Sequence, residues 1–145
     1  MKLVDLLNEN TIQIKDNADD WIDAINIGVG PLLKGGYITE EYVQSMISAV
    51  NEYGPYMVLA DDFALMHARP GISVNKIGLS MLILKKPVNL KGKSVRVFLF
   101  LAALDNKSHI EYLMKITKIL SDNQKFNIIK KGNKNEIINV IKGGD

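Results

Sequence analysis

Val95-Arg96-Val97-Phe98-Leu99-Phe100-Leu101 is the stretch that decides how this chain folds. Every residue but Arg96 is apolar, so the segment follows neither the alternation of a half-buried strand nor the spacing of an amphipathic helix. A strand apolar on nearly every residue is covered on both faces, which places it in the middle of a layered structure. Upstream, Ile77, Leu79, Met81 and Ile83 alternate as a second strand, and Leu82 and Leu84 make its other face apolar near the end. Residues 56–60 read as a third strand and residues 12–14 as a small fourth one.

Helical spacing lies outward on both sides of these strands. Residues 4–7 form a short apolar helix. In the next helix Asn17 is the expected N-cap, with Asp19 and Asp20 in the first turn, where negative charge is favoured. Trp21, Ile22, Ile25, Val29, Leu32 and Leu33 follow at helical spacing, and Pro31 with its neighbouring glycines should bend or shorten the helix. Thr39 caps a third helix with Glu40 and Glu41 in its first turn. Its apolar face is Tyr42, Val43, Met46, Ile47 and Val50, and Gly54-Pro55 stops it. Three more helices are expected over 108–120, 123–130 and 134–141. No repeat, low-complexity segment or long linker divides residues 1–145, so one α/β domain of stacked layers is expected.

Composition narrows the function classes. The chain has 145 residues and is 47% hydrophobic, enough for a full core without metals or disulfides. Cysteine is absent, which removes thiolate catalysis and fits a reducing compartment. A net charge of +2, from 18 basic and 16 acidic residues, gives no strong field for nucleic acid. The start, Met1 to Glu9, is too acidic and too briefly apolar for a signal peptide. The longest apolar run, residues 97–104, is too short to span a bilayer as a helix. The chain reads as cytoplasmic.

Histidine is scarce, and its scarcity focuses the search for chemistry. His67 lies in Ala64-Leu65-Met66-His67-Ala68-Arg69-Pro70. Arg69 precedes proline and is pushed toward an extended conformation. If His67 is extended too, the two side chains share a face at a strand end about to turn at Pro70-Gly71. An imidazole nitrogen can attack phosphorus, and a guanidinium offers a planar fork to phosphoryl oxygens. The other histidine, His109, stands in Ser108-His109-Ile110-Glu111, which has the form of a capping box. That reading puts it in a first helical turn, among free N–H groups that favour an anion. It also follows the central strand closely, and ligand sites collect at such strand ends.

Other readings stay open on the residues alone. His67 could be structural and His109 a surface residue at a cap. Asp61 and Asp62 could join the histidines around a divalent metal, as in a small metal-dependent hydrolase, although no HExxH-type pattern is present. Gly28, Gly30, Gly35 and Gly36 make no nucleotide-binding loop.

The blocks Gly54-Pro55-Tyr56-Met57-Val58-Leu59-Ala60 and Ala64 to Pro70 resemble the active segment of enzyme IIA domains of bacterial sugar phosphotransferase systems. The likeness is to the mannitol/fructose-type superfamily, and within it to the ascorbate-type branch. It extends to Trp21, Ala24 and Gly28, to Gly78, to Lys85-Lys86-Pro87, and to Ala102-Ala103-Leu104-Asp105 leading to His109. The resemblance implies a small central mixed β-sheet flanked by helices on both faces. It implies a phosphotransferase that accepts a phosphoryl group from the phosphocarrier HPr on His67 and passes it to enzyme IIB, and so indirectly serves the membrane enzyme IIC. His109 would orient or stabilise the phosphoimidazole, Arg69 would be a phosphate contact, and no metal or organic cofactor would be needed. A homo-oligomer is compatible with it, as is a regulatory phosphohistidine module of the same fold. Two positions depart from the pattern: Asn51 stands where the mannitol branch carries an active-site arginine, and Asp61-Asp62-Phe63 with Met66 replaces the usual approach to the histidine.

Overall fold

The computed structural model describes residues 2–70 and 73–144. In chain order the elements are α1 (Leu3–Leu6), β1 (Ile12–Lys15), α2 (Trp21–Gly28), α3 (Gly30–Lys34), α4 (Glu40–Tyr53), β2 (Val58–Ala60), β3 (Asp62–Met66), β4 (Gly78–Leu90), β5 (Lys93–Ala102), α5 (Asn106–Leu120), α6 (Asn123–Lys131) and α7 (Lys134–Gly143). The strands form one mixed sheet in the order β1-β4-β5-β3-β2. β5, which holds the stretch over residues 95–101, is the middle strand. It runs antiparallel to β4 and parallel to β3.

Side-chain alternation across the sheet divides the interior in two. Phe98, Phe100 and Ala102 of β5, Leu82 and Leu84 of β4, and Ala64 and Met66 of β3 pack under α2, α3 and α4. Val97, Leu99 and Leu101, Leu79, Met81 and Ile83, and Phe63 and Leu65 pack under α1, α5, α6 and α7. Both faces of the central strands are therefore dry. At about 25 cal/mol per Å² of apolar area, this burial is what holds the layers together.

Local chemistry explains where the elements depart from expectation. The helix expected from Asn17 starts instead at Trp21 with Asp20 as N-cap: Asp20 Oδ1 accepts from the Asp23 N–H at 2.7 Å. Asp23 Oδ2 accepts in return from the Asp19 N–H at 2.8 Å, so Asp19 and Asp20 precede the helix. The helix is shortened, as the Pro31 region suggested: it ends at Gly28, and after Val29 the chain continues as α3 with Pro31 in its first turn. Two carbonyls at the break find side-chain donors in the sheet, Ile27 from Gln13 Nε2 at 2.8 Å and Gly28 from the buried Ser80 hydroxyl at 2.7 Å. Gly28 is required there because a Cβ would run into the Phe100 ring.

The strand expected over 56–60 shrinks to β2. Gly54 closes α4 at φ 79°, and the Val58 N–H turns back to the Pro55 carbonyl at 3.0 Å. β4 is longer than its alternating stretch. A register shift between Ile83 and Val88 accommodates Lys85-Lys86-Pro87, where proline has no N–H for the ladder. Lys91 and Gly92, both at positive φ, then close a two-residue hairpin to β5.

Candidate functional site

β3 and β5 are parallel neighbours, so their C-terminal ends lie side by side on one edge of the sheet. β3 delivers His67, one residue beyond its end. β5 leads through Ala103-Leu104 into α5, which carries His109. The two imidazoles, 42 positions apart in the chain, lie with ring centroids 5.3 Å apart and planes inclined by 49°. Ligand sites form at such strand ends because the connections there diverge and leave a crevice.

His67 is half-buried, and its Nδ1 lies 2.9 Å from the Leu65 carbonyl oxygen. A carbonyl only accepts, so this contact requires the proton on Nδ1 and leaves the lone pair on Nε2. The ring is thus presented as a nucleophile with a fixed tautomer. Leu65 can serve in this way because its own N–H is bonded to the Met57 carbonyl at 2.9 Å on the β2 side.

His109 does not sit where the capping-box reading placed it. The N-cap of α5 is Asp105, whose Oδ1 accepts from both the N–H and the hydroxyl of Ser108 at 2.8 Å. A carboxylate makes the stronger cap, and the helix starts two residues before Ser108. His109 is its fourth residue, and its N–H bonds to the Asp105 carbonyl at 3.1 Å. What His109 brings to the site is therefore its ring rather than a free backbone donor. Its Nε2 is buried without a hydrogen-bond partner among the described residues. Burial, and secondarily the neighbouring His67, hold its pKa below the ordinary 6.5, so the ring is neutral at pH 7. An orphaned polar atom beside a nucleophile is arranged for an incoming ligand, because leaving it unpaired costs about 1–3 kcal/mol.

The remaining sequence candidates do not join this pair. Arg69 is exposed and lines a groove with Tyr42, Ser45, Tyr53, Tyr56 and Pro70, whose walls include neither histidine. The turn expected at Pro70-Gly71 runs into Gly71, which lies outside the described residues. Asn51 is exposed on α4. Asp61 and Asp62 lie at the opposite end of β3, roughly 16 Å from His67 at about 3.3 Å per strand residue. Asp62 faces Ser94, whose hydroxyl donates to it at 3.1 Å, and Lys130 at 4.0 Å. A metal cage of these carboxylates with the histidines is not formed, and no group of three or more potential metal ligands occurs among the described residues.

One contributor carried no signal of chemistry in the sequence. Tyr42 lies on the apolar face of α4 and is 2% exposed, yet its hydroxyl reaches the His67 segment. It accepts from the Ala68 N–H at 3.1 Å and donates to the Leu101 carbonyl at 2.7 Å.

An imidazole bonded through Nδ1 with Nε2 left free, beside a second, neutral imidazole, is suited to carrying an electrophilic, anionic group. The family described as the phosphoenolpyruvate-dependent sugar phosphotransferase system, EIIA 2, matches residues 5–144. The chain belongs to that family, whose members are phosphoryl carriers. It is 35% identical over 135 residues to the ascorbate-specific PTS system EIIA component of Shigella boydii, covering 90% of this chain and 88% of that protein. The solution structure of the mannitol-specific cryptic phosphotransferase enzyme IIA CmtB of Escherichia coli superposes with a TM-score of 0.90 at 28% identity, covering 99% of each chain. The fold also matches the Escherichia coli complex of enzyme IIA and phosphorylated enzyme IIB for mannitol, at TM-score 0.82 and 23% identity, over 95% of this chain and 99% of that one. These likenesses agree with the mixed sheet and two-sided helical cover expected from the sequence. No helix among the described residues is long and apolar enough to cross a membrane.

Proposed function

We propose that His67 is the phosphoryl carrier of this EIIA component, taking the group from phospho-HPr and giving it to an enzyme IIB. The observation that carries this reading is the contact of His67 Nδ1 with the Leu65 carbonyl, which leaves Nε2 as the attacking atom. In acceptance, the Nε2 lone pair forms a bond to phosphorus as the bond from phosphorus to the HPr imidazole breaks. The His67 ring gains positive charge as this happens, and the Nδ1–H bond to the carbonyl strengthens with it. A bond that strengthens in the transition state lowers the barrier. In donation, a nucleophile on enzyme IIB attacks phosphorus, the bond to Nε2 breaks, and the lone pair returns to Nε2. His109, neutral and with a buried nitrogen unsatisfied, supplies a hydrogen bond to a phosphoryl oxygen. Arg69 is exposed and long enough to swing toward the same oxygens as a secondary contact.

The surface next to the pair suits protein partners rather than a sugar. Leu104, Ile110 and Met114, on α5 and the segment leading into it, are large apolar side chains at 50–68% exposure. Clusters of that kind mark protein-interaction sites. A membrane enzyme IIC would select the sugar, and the resemblance to ascorbate-specific components makes an ascorbate-like substrate the first to test. We assign the relay to the cytoplasm, which a cysteine-free chain suits, and treat residues 1–145 as one unit.

The test is a reconstituted relay. With enzyme I, HPr and labelled phosphoenolpyruvate, the wild-type chain should acquire acid-labile phosphate and discharge it onto its cognate enzyme IIB. His67→Ala should acquire none while giving an unchanged circular dichroism spectrum. Labelling of the alanine variant at the wild-type level would refute the assignment.

A further inference from the structure

The Tyr42 hydroxyl occupies a place where the sheet itself should have continued. β3 and β5 are paired in parallel up to Met66 opposite Phe100. Backbone N–H groups alternate in direction along a strand, and that of Leu65 points away from β5, to Met57. The N–H groups of Ala64, Met66 and Ala68 therefore point toward β5. One further step of the ladder would carry the Ala68 N–H to the Leu101 carbonyl. Instead, the Tyr42 hydroxyl stands between them, accepting from the first at 3.1 Å and donating to the second at 2.7 Å. The Ala68 carbonyl lies a little farther off, at 3.3 Å from the same oxygen. A phenol has one proton to give and can accept at its lone pairs, so both strand groups are satisfied through a single oxygen.

We propose that Tyr42 is a positioning residue: its hydroxyl, wedged between β3 and β5 at Ala68, takes the place of the next step of their ladder, one residue beyond His67, and so fixes the backbone on which the His67 tautomer and the His67–His109 spacing depend. His67 lies between two fixed points, the ladder at Met66 and the bridge at Ala68. Its ring can hold Nδ1 against the Leu65 carbonyl only while that backbone stays in place. On the other side the same oxygen holds Leu101, three residues before the segment Leu104-Asp105 that opens into α5 and His109. One hydroxyl thus sets both halves of the site without touching either imidazole. Burial raises the Tyr42 pKa above its ordinary 10.0, which keeps the proton on the oxygen throughout the physiological range and preserves the donor to Leu101.

The functional part of this inference rests on His67 being the carrier, and the experiment separates the two. Tyr42→Phe keeps the ring in the core but removes the bridge. Imidazole ¹⁵N spectra of the unphosphorylated wild type should report the Nδ1–H tautomer for His67, and those of the folded variant a mixture of the two tautomers. Acceptance of phosphate from HPr should slow by about tenfold, the scale of a misplaced reacting group. A folded Tyr42→Phe protein with an unchanged tautomer and unchanged rate would overturn the proposal. Failure of the wild type to label on His67 would strike the carrier assignment instead, and the tautomer readout would still judge Tyr42. Should the variant not fold, amide exchange of Ala68 in the wild type decides. Slow exchange is expected of an N–H bonded to a buried hydroxyl, and exchange at the rate of an open loop would overturn the bridge.

Discussion

The two ends of β3 carry titratable groups of opposite character. At its N-terminal end Asp61 is exposed, and Asp62, held at φ 66°, faces Ser94 and Lys130. At its C-terminal end His67 meets His109, both half-buried, and the His109 Nε2 has no hydrogen-bond partner among the described residues. Asp62 is five positions from His67 in the chain, and His109 is 42 positions away. The near neighbour in sequence is the distant one in space, because five extended residues span roughly 16 Å. That is about two Debye lengths in ordinary salt, and the half-buried Asp62 already has Lys130 at 4.0 Å as a counter-charge, so the acids act little on anything bound at the histidines. The Asp61-Asp62 departure from the family pattern therefore lies out of reach of phosphoryl transfer at His67. What governs the site is the parallel pairing of β3 with β5.

That contrast can be sharpened first at His109. His109→Ala removes the ring and its hydrogen-bond donor together. Phosphoryl transfer to or from His67 should slow by roughly tenfold or more, the effect of losing one charge-assisted bond of about 1.5–3 kcal/mol. Rapid-quench rates in both directions measure it, and wild-type rates would make His109 a bystander. The pH behaviour gives the same residue a sign. Its folded pKa lies below 6.5, so its contribution to stability is fully present above about pH 6.5 and is lost as pH falls through the folded value. Phosphate on His67 reverses the local charge and should raise the His109 pKa, which proton NMR titration of the phosphorylated protein would detect.

The smallest effect is expected at the other end. Asp61→Asn with Asp62→Asn should leave acceptance from HPr within about twofold of wild type, because the charges are screened. Asparagine also tolerates the left-handed backbone of Asp62. A large gain in rate would mean that the acids do repel the incoming group, and the comparison between the two ends would fail.

How much of this could be read in advance follows from where the information lies. β5 was legible because burial on both faces writes itself into consecutive residues. The α4 stop at Gly54 was legible because a cap at positive φ selects glycine. The start of α5 was misplaced because Asp105 and Ser108 both suit an N-cap, and competition between them is decided by geometry. The meeting of His67 with His109 depends on strand order, which hydrophobic pattern does not encode. Tyr42 was hidden for a different reason. Its ring satisfies the apolar face of α4, and only a three-dimensional account of hydrogen bonds shows that its oxygen spans two strands. For Arg69 the rule for residues before proline concerns the backbone, and it says nothing about which groove the side chain enters.

The central claim is that Nε2 of His67 carries the phosphoryl group while Nδ1 stays bonded to the Leu65 carbonyl. The most direct measurement is ³¹P–¹⁵N correlation on the histidine-¹⁵N-labelled protein, freshly phosphorylated through HPr. A single coupling to Nε2 of His67, with its Nδ1 still protonated, is the expected result. A coupling to Nδ1 of His67, or to either nitrogen of His109, would contradict it.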